Sequence, residues 1–182
     1  MALIVLVALT CPERPVMITV ACGWGVLFPA LAKWFRASIS GECEGYPRWS
    51  YFLCITQQLA LICLAAALVY QLYASPMTIE EWMRSPWRPG MVIEEQVHAL
   101  VLGAMLKDFF LGTATDYGFI AHHSFVVIGC VVCLTLPMGV GITTINAIQA
   151  ESGSILYNLM LVFPSTLTRA LYFIVMPMSN MA

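Results

Sequence analysis

Charged side chains are scarce in this sequence of 182 residues. Lys, Arg, Asp and Glu together make up 10% of the chain, whereas hydrophobic residues make up 60%. A soluble domain is about one-quarter charged, and a chain of this size must expose much of its surface. So few charges cannot cover a surface that faces water. The composition excludes an ordinary soluble domain and predicts an integral membrane protein, with one membrane domain over residues 1–182.

Basic clusters are also missing. The eight Lys and Arg residues are scattered along the chain, and the formal net charge is −2. Nucleic-acid-binding proteins concentrate basic residues in one patch. The sequence therefore excludes nucleic acid as a partner and leaves membrane lipids, and other membrane protein subunits, as the expected ones.

Cysteine is not lacking, but its pattern predicts no metal site. Most of the seven cysteines lie in or beside apolar runs, where cysteine behaves as a small hydrophobic residue. Cys130 and Cys133 have the Cys-x-x-Cys spacing, but no second pair accompanies them. Residues 2–9 are apolar yet too short to span a bilayer, and no basic residue precedes them, so they form a poor signal peptide.

Long apolar runs determine the expected fold class. A helix that crosses a bilayer needs about 20 mostly apolar residues. We expect an all-α protein, a multipass transmembrane bundle of five to six helices without a β-sheet. Asp116 is the expected N-cap of the fourth helix, and Pro164 separates the last two. The predicted helices are 16–35, 50–73, 94–112, 117–136, 139–163 and the shorter 165–178.

The longest polar stretch, 74–93, predicts a surface loop or a short interfacial helix. Its segment "SPMTIEEWMRSPW" would place Trp82, Met83 and Trp87 among lipid headgroups. Basic residues favour the 37–48 end as the cytosolic, stromal or matrix side, with Arg169 at the same end. We expect an endomembrane or organellar location, the thylakoid and the mitochondrial inner membrane included.

Histidine is rare, yet two of the three histidines are adjacent, in "TDYGFIAHHSFVVIG". Polar groups inside apolar helices are costly, so they usually face the bundle interior or a partner. We expect His122 or His123 to lie within hydrogen-bonding or one-water reach of Asp108 or Glu151. Successive residues point about 100° apart, so the other histidine would cap the helix or contact headgroups.

Other polar residues in the helices extend this pattern. Thr144, Glu151, Ser154 and Asn158 share one face of the predicted fifth helix because of their spacing. The plainest interpretation is that such groups join helices by hydrogen bonds worth about 1 kcal/mol or less each. The alternative is a functional site, because a purely structural bundle would more cheaply use Ser, Thr and small residues.

The segment "LGAMLKDFFLGTATDYGFIAHHSFVVIG" resembles the core of the TRAM–Lag–CLN homology (TLC) domain. In that family an aspartate beside an aromatic residue precedes a His-His pair, as Asp108, Phe109, His122 and His123 do here. "QAESGSILYNLMLVF" is similar to a later helix of the family, with Glu151 in the acidic position, and "LTRALYFIVM" resembles one of its last helices. The resemblance covers roughly 49–178.

The resemblance implies a protein that handles or senses a lipid. In enzymatic members, His122 or His123 would act as general base toward an amine or hydroxyl, with Asp108 or Glu151 orienting the ring. The acyl donor would be a thioester or a lipid ester. No Asp follows His123, so this chain departs from the ceramide synthase branch. Gln57 and Gln58 stand where family members often have a histidine, and the sequence is about one helix short of a full domain.

A second hypothesis is a non-catalytic accessory subunit of a photosynthetic or respiratory complex. Such a subunit would contact neighbouring subunits, lipid and pigment. Imidazole and side-chain oxygens can ligate the magnesium of chlorophyll, so lipid and chlorophyll are both candidate bound groups. The candidate lipid- or pigment-binding residues are His98, Gln57, Gln58, Asn146 and Asn158.

Overall fold

A computed structural model of the chain describes residues 15–113, 116–135 and 138–180. These residues form seven helices. The all-α prediction is confirmed, and each of the six predicted long helices lies within three residues of its expected bounds. The helices are α1 (Pro15–Ser38), α2 (Arg48–Ala74), α3 (Ile79–Arg84), α4 (Val92–Leu111), α5 (Tyr117–Thr135), α6 (Val140–Val162) and α7 (Thr166–Asn180).

A small hairpin corrects the prediction that the chain has no sheet. Strands β1 (Glu42–Cys43) and β2 (Tyr46–Pro47) pair antiparallel between α1 and α2. Glu44 and Gly45 join them with φ of 49° and 81°. Two successive left-handed residues match the turn that tight hairpins need. Segments this short carry no alternating apolar pattern, so no strand was predictable from the local sequence.

Helix α4 occupies the centre of the bundle. It packs against α1, α2, α5 and α6, and Leu100 and Leu102 are almost fully buried. A Cβ at Gly103 would lie 3.3 Å from the Trp24 Cβ, so α1 and α4 approach closely at this point. Residues further along α4 are therefore held inside the bundle, which is where the candidate site begins.

The short helix α3 confirms that the 74–93 segment contains a helix. The Thr78 hydroxyl accepts from the Glu81 backbone N–H at 3.2 Å, and the Glu81 carboxylate accepts from the Thr78 N–H at 2.8 Å. This reciprocal pair is a capping box. Hydrogen bonds from the Thr78 backbone and side chain hold the pKa of Glu81 below its usual value.

The predicted headgroup position is wrong for Trp82, whereas that of Trp87 stays a prediction. Trp82 is buried, and its indole N–H donates to a carboxylate oxygen of Glu94 at 2.8 Å. Trp87 is half-buried, with its ring edge-on to His98 at 5.3 Å. Glu94 is fully buried, and a buried carboxylate needs donors. The hydrogen bond to Glu94 therefore holds Trp82 inside the bundle. A close approach between Met83 and Gly141 holds α3 against α6.

The hairpin lies at one end of the bundle, which we call the hairpin end. There the Arg48 guanidinium donates to the Val162 carbonyl at 2.9 Å, and that of Arg36 donates to the Leu111 carbonyl at 3.4 Å. Arg169 follows α6 and lines a shallow cavity with Glu44. The predicted grouping of these three arginines at one end is confirmed. Helix α3 lies at the other end.

One helix of the described ranges, α2, is long and apolar enough to cross a membrane. Residues Tyr117–Cys133 of α5 are apolar but form a shorter stretch.

Candidate functional site

A cavity of about 360 Å³ opens at the hairpin end, between α2, α4, α5 and α6. The hairpin and Asp116 lie at its mouth. Most of the side chains that line it are polar, although the surrounding bundle is apolar. They are Glu44, Tyr46, Ser50, Tyr51, Cys54, Gln57, Gln58, Met105, Lys107, Asp108, Thr113, Asp116, Phe119, His122, His123, Glu151, Ser154, Tyr157 and Asn158.

The predicted approach of a histidine to a carboxylate is present. His123 Nε2 lies 3.0 Å from Asp108 Oδ2, and both side chains are buried. The local sequence explains the contact. Helix α4 ends at Gly112, whose φ of 68° is left-handed and favours glycine. The chain then turns back, so α5 packs against α4 with His123 opposite Asp108.

Asp116 fixes the start of α5, as predicted. Its Oδ1 accepts from the Phe119 backbone N–H at 2.8 Å, which is the N-cap hydrogen bond. Its Oδ2 accepts from the hydroxyl of Tyr46 on the hairpin. The Tyr46 hydrogen bond, and then that of Phe119, hold the pKa of Asp116 below its usual value. One side chain thereby joins the hairpin to α5.

Asp108 holds its neighbours in place, because both of its carboxylate oxygens are occupied by hydrogen bonds. Oδ2 accepts from the Lys107 ammonium at 2.9 Å and faces His123, while Oδ1 accepts from the Thr113 hydroxyl at 2.7 Å. Lys107 also donates to the Ala104 carbonyl at 3.3 Å. A buried ion pair repays its desolvation only when further hydrogen bonds satisfy both partners. These contacts do so, and they leave Asp108 with little capacity to act as a base.

The two histidines have different environments. His123 Nδ1 lies 3.0 Å from the Phe119 carbonyl, which can only accept, so Nδ1 donates. Nε2 faces the Asp108 carboxylate, so both ring nitrogens of His123 are engaged inside the protein. His122 is exposed, lines the cavity, and makes no hydrogen bond within the described ranges. His122 is thus the histidine with nitrogens available to a ligand.

The polar face predicted on α6 is also present. Thr144, Glu151 and Asn158 are all buried. The Asn158 amide donates to the Gln58 side-chain oxygen at 3.0 Å, and Gln58 in turn hydrogen-bonds Glu151. This chain of contacts joins α6 to α2 along one wall of the cavity. Glu151 lies there among the charges of Lys107 and His123.

Gln57 has an unmatched acceptor. The side chain is only 3% exposed, and its Oε1 has no hydrogen-bond partner among the residues that the structure describes. Leaving a buried acceptor unsatisfied costs about 1–3 kcal/mol. Because Gln57 lines the cavity, a molecule inside the cavity can supply the missing donor.

Two predicted ligand residues lie elsewhere. Asn146 is exposed on α6 and does not line the cavity, because five residues before Glu151 is about 140° around the helix. His98 is buried further along α4, with Nδ1 2.9 Å from the Glu94 carbonyl oxygen. Ten residues separate it from Asp108, which is about 15 Å along a helix. Neither residue belongs to the His123–Asp108 cluster.

Several residues of the cavity were missed by the sequence analysis. Tyr46, Tyr51 and Tyr157 bring three phenol groups to the mouth. The Tyr157 hydroxyl donates to Glu44 at 2.7 Å, and that of Tyr51 to the Cys43 carbonyl at 3.2 Å. Pairings over such sequence distances leave no periodic signal. The available signal was Tyr46 beside acidic residues in the predicted 37–48 loop, whereas Tyr51 and Tyr157 lie inside predicted helices.

No family model matches the chain, and no curated protein or solved structure is significantly similar to it. The resemblance to the TLC family therefore stays a prediction. Over the described parts of the chain, no three His, Cys, Asp or Glu side chains are arranged to hold a metal ion.

Proposed function

We propose that this chain is a multipass membrane protein of the TLC type, and that it handles or senses a lipid in the cavity at the hairpin end. One observation carries the proposal. A cavity of about 360 Å³ gathers Asp108, His122, His123 and Glu151 inside an apolar bundle. Ligand pockets range from about 300 to 1,000 Å³, so this volume suits a lipid headgroup or a short acyl segment.

Helix length supports a multipass arrangement. Helices α1, α4 and α6 have 24, 20 and 23 residues, and about 20 residues span a bilayer. Helix α4 is less apolar than α2 because it carries Glu94, Glu95, Lys107 and Asp108. Glu94, Lys107 and Asp108 are buried inside the bundle, as charged groups in membrane helices usually are. Large apolar side chains on α2 and α5, such as Val69 and Phe125, face outward.

The chemistry available to the site centres on His122. Its ring nitrogens can accept a proton from a hydroxyl or an amine, whereas the hydrogen bonds of His123 and Asp108 occupy those groups. An acyl-transfer site and a sensing site would use the same cavity and differ in turnover. The ceramide synthase reaction is not proposed, because no Asp follows His123.

The pigment-binding alternative has less support. Magnesium ligation needs an open face beside the ligating side chain, and His98 is only 1% exposed. Gln58 and Asn158 are hydrogen-bonded to each other. An accessory subunit of a larger complex remains the rival hypothesis, and the experiment below distinguishes it.

The test is a cavity-filling substitution. Ser154→Trp places a large side chain on the α6 wall, and Ile145→Trp is the matched control, because Ile145 is exposed, does not line the cavity and lies about 180° around α6 from Ser154. The protein is isolated gently in nanodiscs, and bound lipid is extracted and counted by mass spectrometry. We expect about one retained lipid per chain in the parent and in Ile145→Trp, and loss of that lipid in Ser154→Trp.

Equal lipid retention by both tryptophan variants would contradict the proposal. Recovery of the chain only within a stoichiometric complex, with a bound pigment and no specific lipid, would establish the accessory subunit instead. A circular dichroism spectrum and a thermal unfolding curve for each variant check that the bundle is intact.

A further inference from the structure

The cavity wall carries more negative than positive charge. Four carboxylates line it, against the single ammonium of Lys107. Deep in the cavity the Lys107 ammonium is paired with the Asp108 carboxylate at 2.9 Å. Glu44 and Asp116 lie at the mouth. Within the described ranges neither carboxylate forms an ion pair, and Arg169 is not within ion-pair distance of either. The surplus is therefore negative and lies at the mouth.

The mouth is also aromatic. Tyr46, Tyr157 and Phe119 line it, and the first two donate hydrogen bonds to Asp116 and Glu44. These bonds hold the carboxylates beside the rings. An organic ammonium ion is attracted by aromatic faces as well as by carboxylates, whereas Ca²⁺ and Mg²⁺ need several oxygen ligands around one point. Aromatic rings alternating with carboxylates favour the organic cation.

The unmatched oxygen of Gln57 is an independent observation. It lies about two helical turns from Tyr51 on α2, on the same cavity wall. An occupant with an N–H or O–H group would satisfy it, and a bare hydrocarbon or an anion would not. We infer that the cavity binds an organic ammonium group that also donates hydrogen bonds, carried by a lipid headgroup or free in solution. The inference rests on the proposed function, which it makes specific.

Cys54 provides a reporter inside the cavity. The other six cysteines are replaced by alanine, and the full chain is placed in phosphatidylglycerol nanodiscs. The rate of Cys54 alkylation by N-ethylmaleimide is then followed by mass spectrometry, with the thermal unfolding midpoint measured in parallel. The probes are butylammonium, its neutral counterpart butanol, and nanodiscs that contain phosphatidylethanolamine.

We expect butylammonium or phosphatidylethanolamine to slow the alkylation about tenfold and to raise the unfolding midpoint, with little effect of butanol. Removing the two mouth charges together, by Glu44→Gln and Asp116→Asn, should raise the half-protecting concentration about tenfold, because a partly exposed charge pair contributes up to about fivefold each. Glu44→Gln keeps an oxygen for the Tyr157 hydroxyl, and Asp116→Asn keeps one of the two oxygens that accept from the Phe119 N–H and the Tyr46 hydroxyl. Glu42→Gln, on the hairpin but outside the cavity lining, is the matched control and should change nothing.

The outcomes separate the two proposals. Protection by phosphatidylethanolamine alone supports a lipid headgroup, and protection by butylammonium as well supports a free amine. Equal effects of butanol and butylammonium, unchanged by the double substitution, overturn the ammonium inference and leave the lipid site intact. If no probe shifts either measurement and Ser154→Trp retains its lipid, the proposed function fails together with the inference.

Discussion

The two adjacent histidines should differ sharply in their contribution to stability. His123→Ala removes a hydrogen bond to the Asp108 carboxylate, one to the Phe119 carbonyl, and a stacked contact with the Phe119 ring at 4.0 Å. A hydrogen bond to a charged group contributes about 1.5–3 kcal/mol, a neutral one about 1 kcal/mol, and an aromatic pair about 0.5–1.5 kcal/mol. These contributions are not strictly additive, so we expect a loss of about 3–5 kcal/mol.

His122→Ala should cost far less. The ring is exposed and makes only an edge-on contact with His123 at 5.5 Å. Substitutions at such positions usually change stability by about 0.5 kcal/mol or less. The measurement is the free energy of unfolding of the purified chain in mixed micelles, by denaturant titration. Similar losses for the two variants, or a larger loss for His122→Ala, would refute the assignment of His123 to structure and His122 to the ligand.

Three further predictions concern other parts of the molecule. Because the pKa of Asp116 is lowered in the folded state, its contribution to stability is present above its unfolded value near 3.9 and disappears as the pH falls through the lower folded value. In Asp116→Asn this part of the pH dependence of unfolding should vanish. Trp82→Phe leaves buried Glu94 without its closest donor and should cost about 1–3 kcal/mol, a loss that Glu94→Gln, which keeps the acceptor, should not reproduce in full. Gly112→Ala should destabilise the protein by about 1 kcal/mol because Gly112 has a left-handed φ. Gly23→Ala should instead stabilise it by up to about 1 kcal/mol, because Gly23 lies within α1 with open space around it. Thermal unfolding of the two variants, measured side by side, checks that the effects have opposite signs.

The lengths of the apolar stretches, together with the prolines and capping residues at their ends, were enough to predict the helices. Apolar stretches bounded by Pro15, Asp116 and Pro164 end where the sequence says they should, because caps and prolines act locally. The approach of one of the two histidines to Asp108 or Glu151 was also predictable, since few residues separate the helix of Asp108 from that of the histidines, but which pair would form was left open. By contrast, the hairpin depends on pairs such as Tyr46 with Asp116, which are distant in sequence.

The errors have a common physical origin. Trp82 was expected among headgroups because amphipathic residues favour that region, but a buried carboxylate on another helix provides a better partner. Asn146 was placed with the site because it is polar and lies within an apolar helix. Its angular position on α6, about 140° from Glu151, decides its exposure and turns it away from the cavity. Long-range partners and helix rotation are set by packing, which the local pattern does not encode.

The central position of α4 has a consequence for biosynthesis. In the proposed membrane arrangement, this helix enters the bilayer with Lys107 and Asp108 near its end, where each charge adds less than the about 2.5–3.5 kcal/mol that it would add at the helix centre. Their mutual contact at 2.9 Å forms between adjacent residues and requires no other helix, so the pair can enter already neutralised. Glu94 has no such local partner, and its donors Trp82 and Gln71 come from segments made earlier. Because α2 and α3 precede α4 in the chain, the hydrogen-bond donors to Glu94 are synthesised before the helix that carries Glu94.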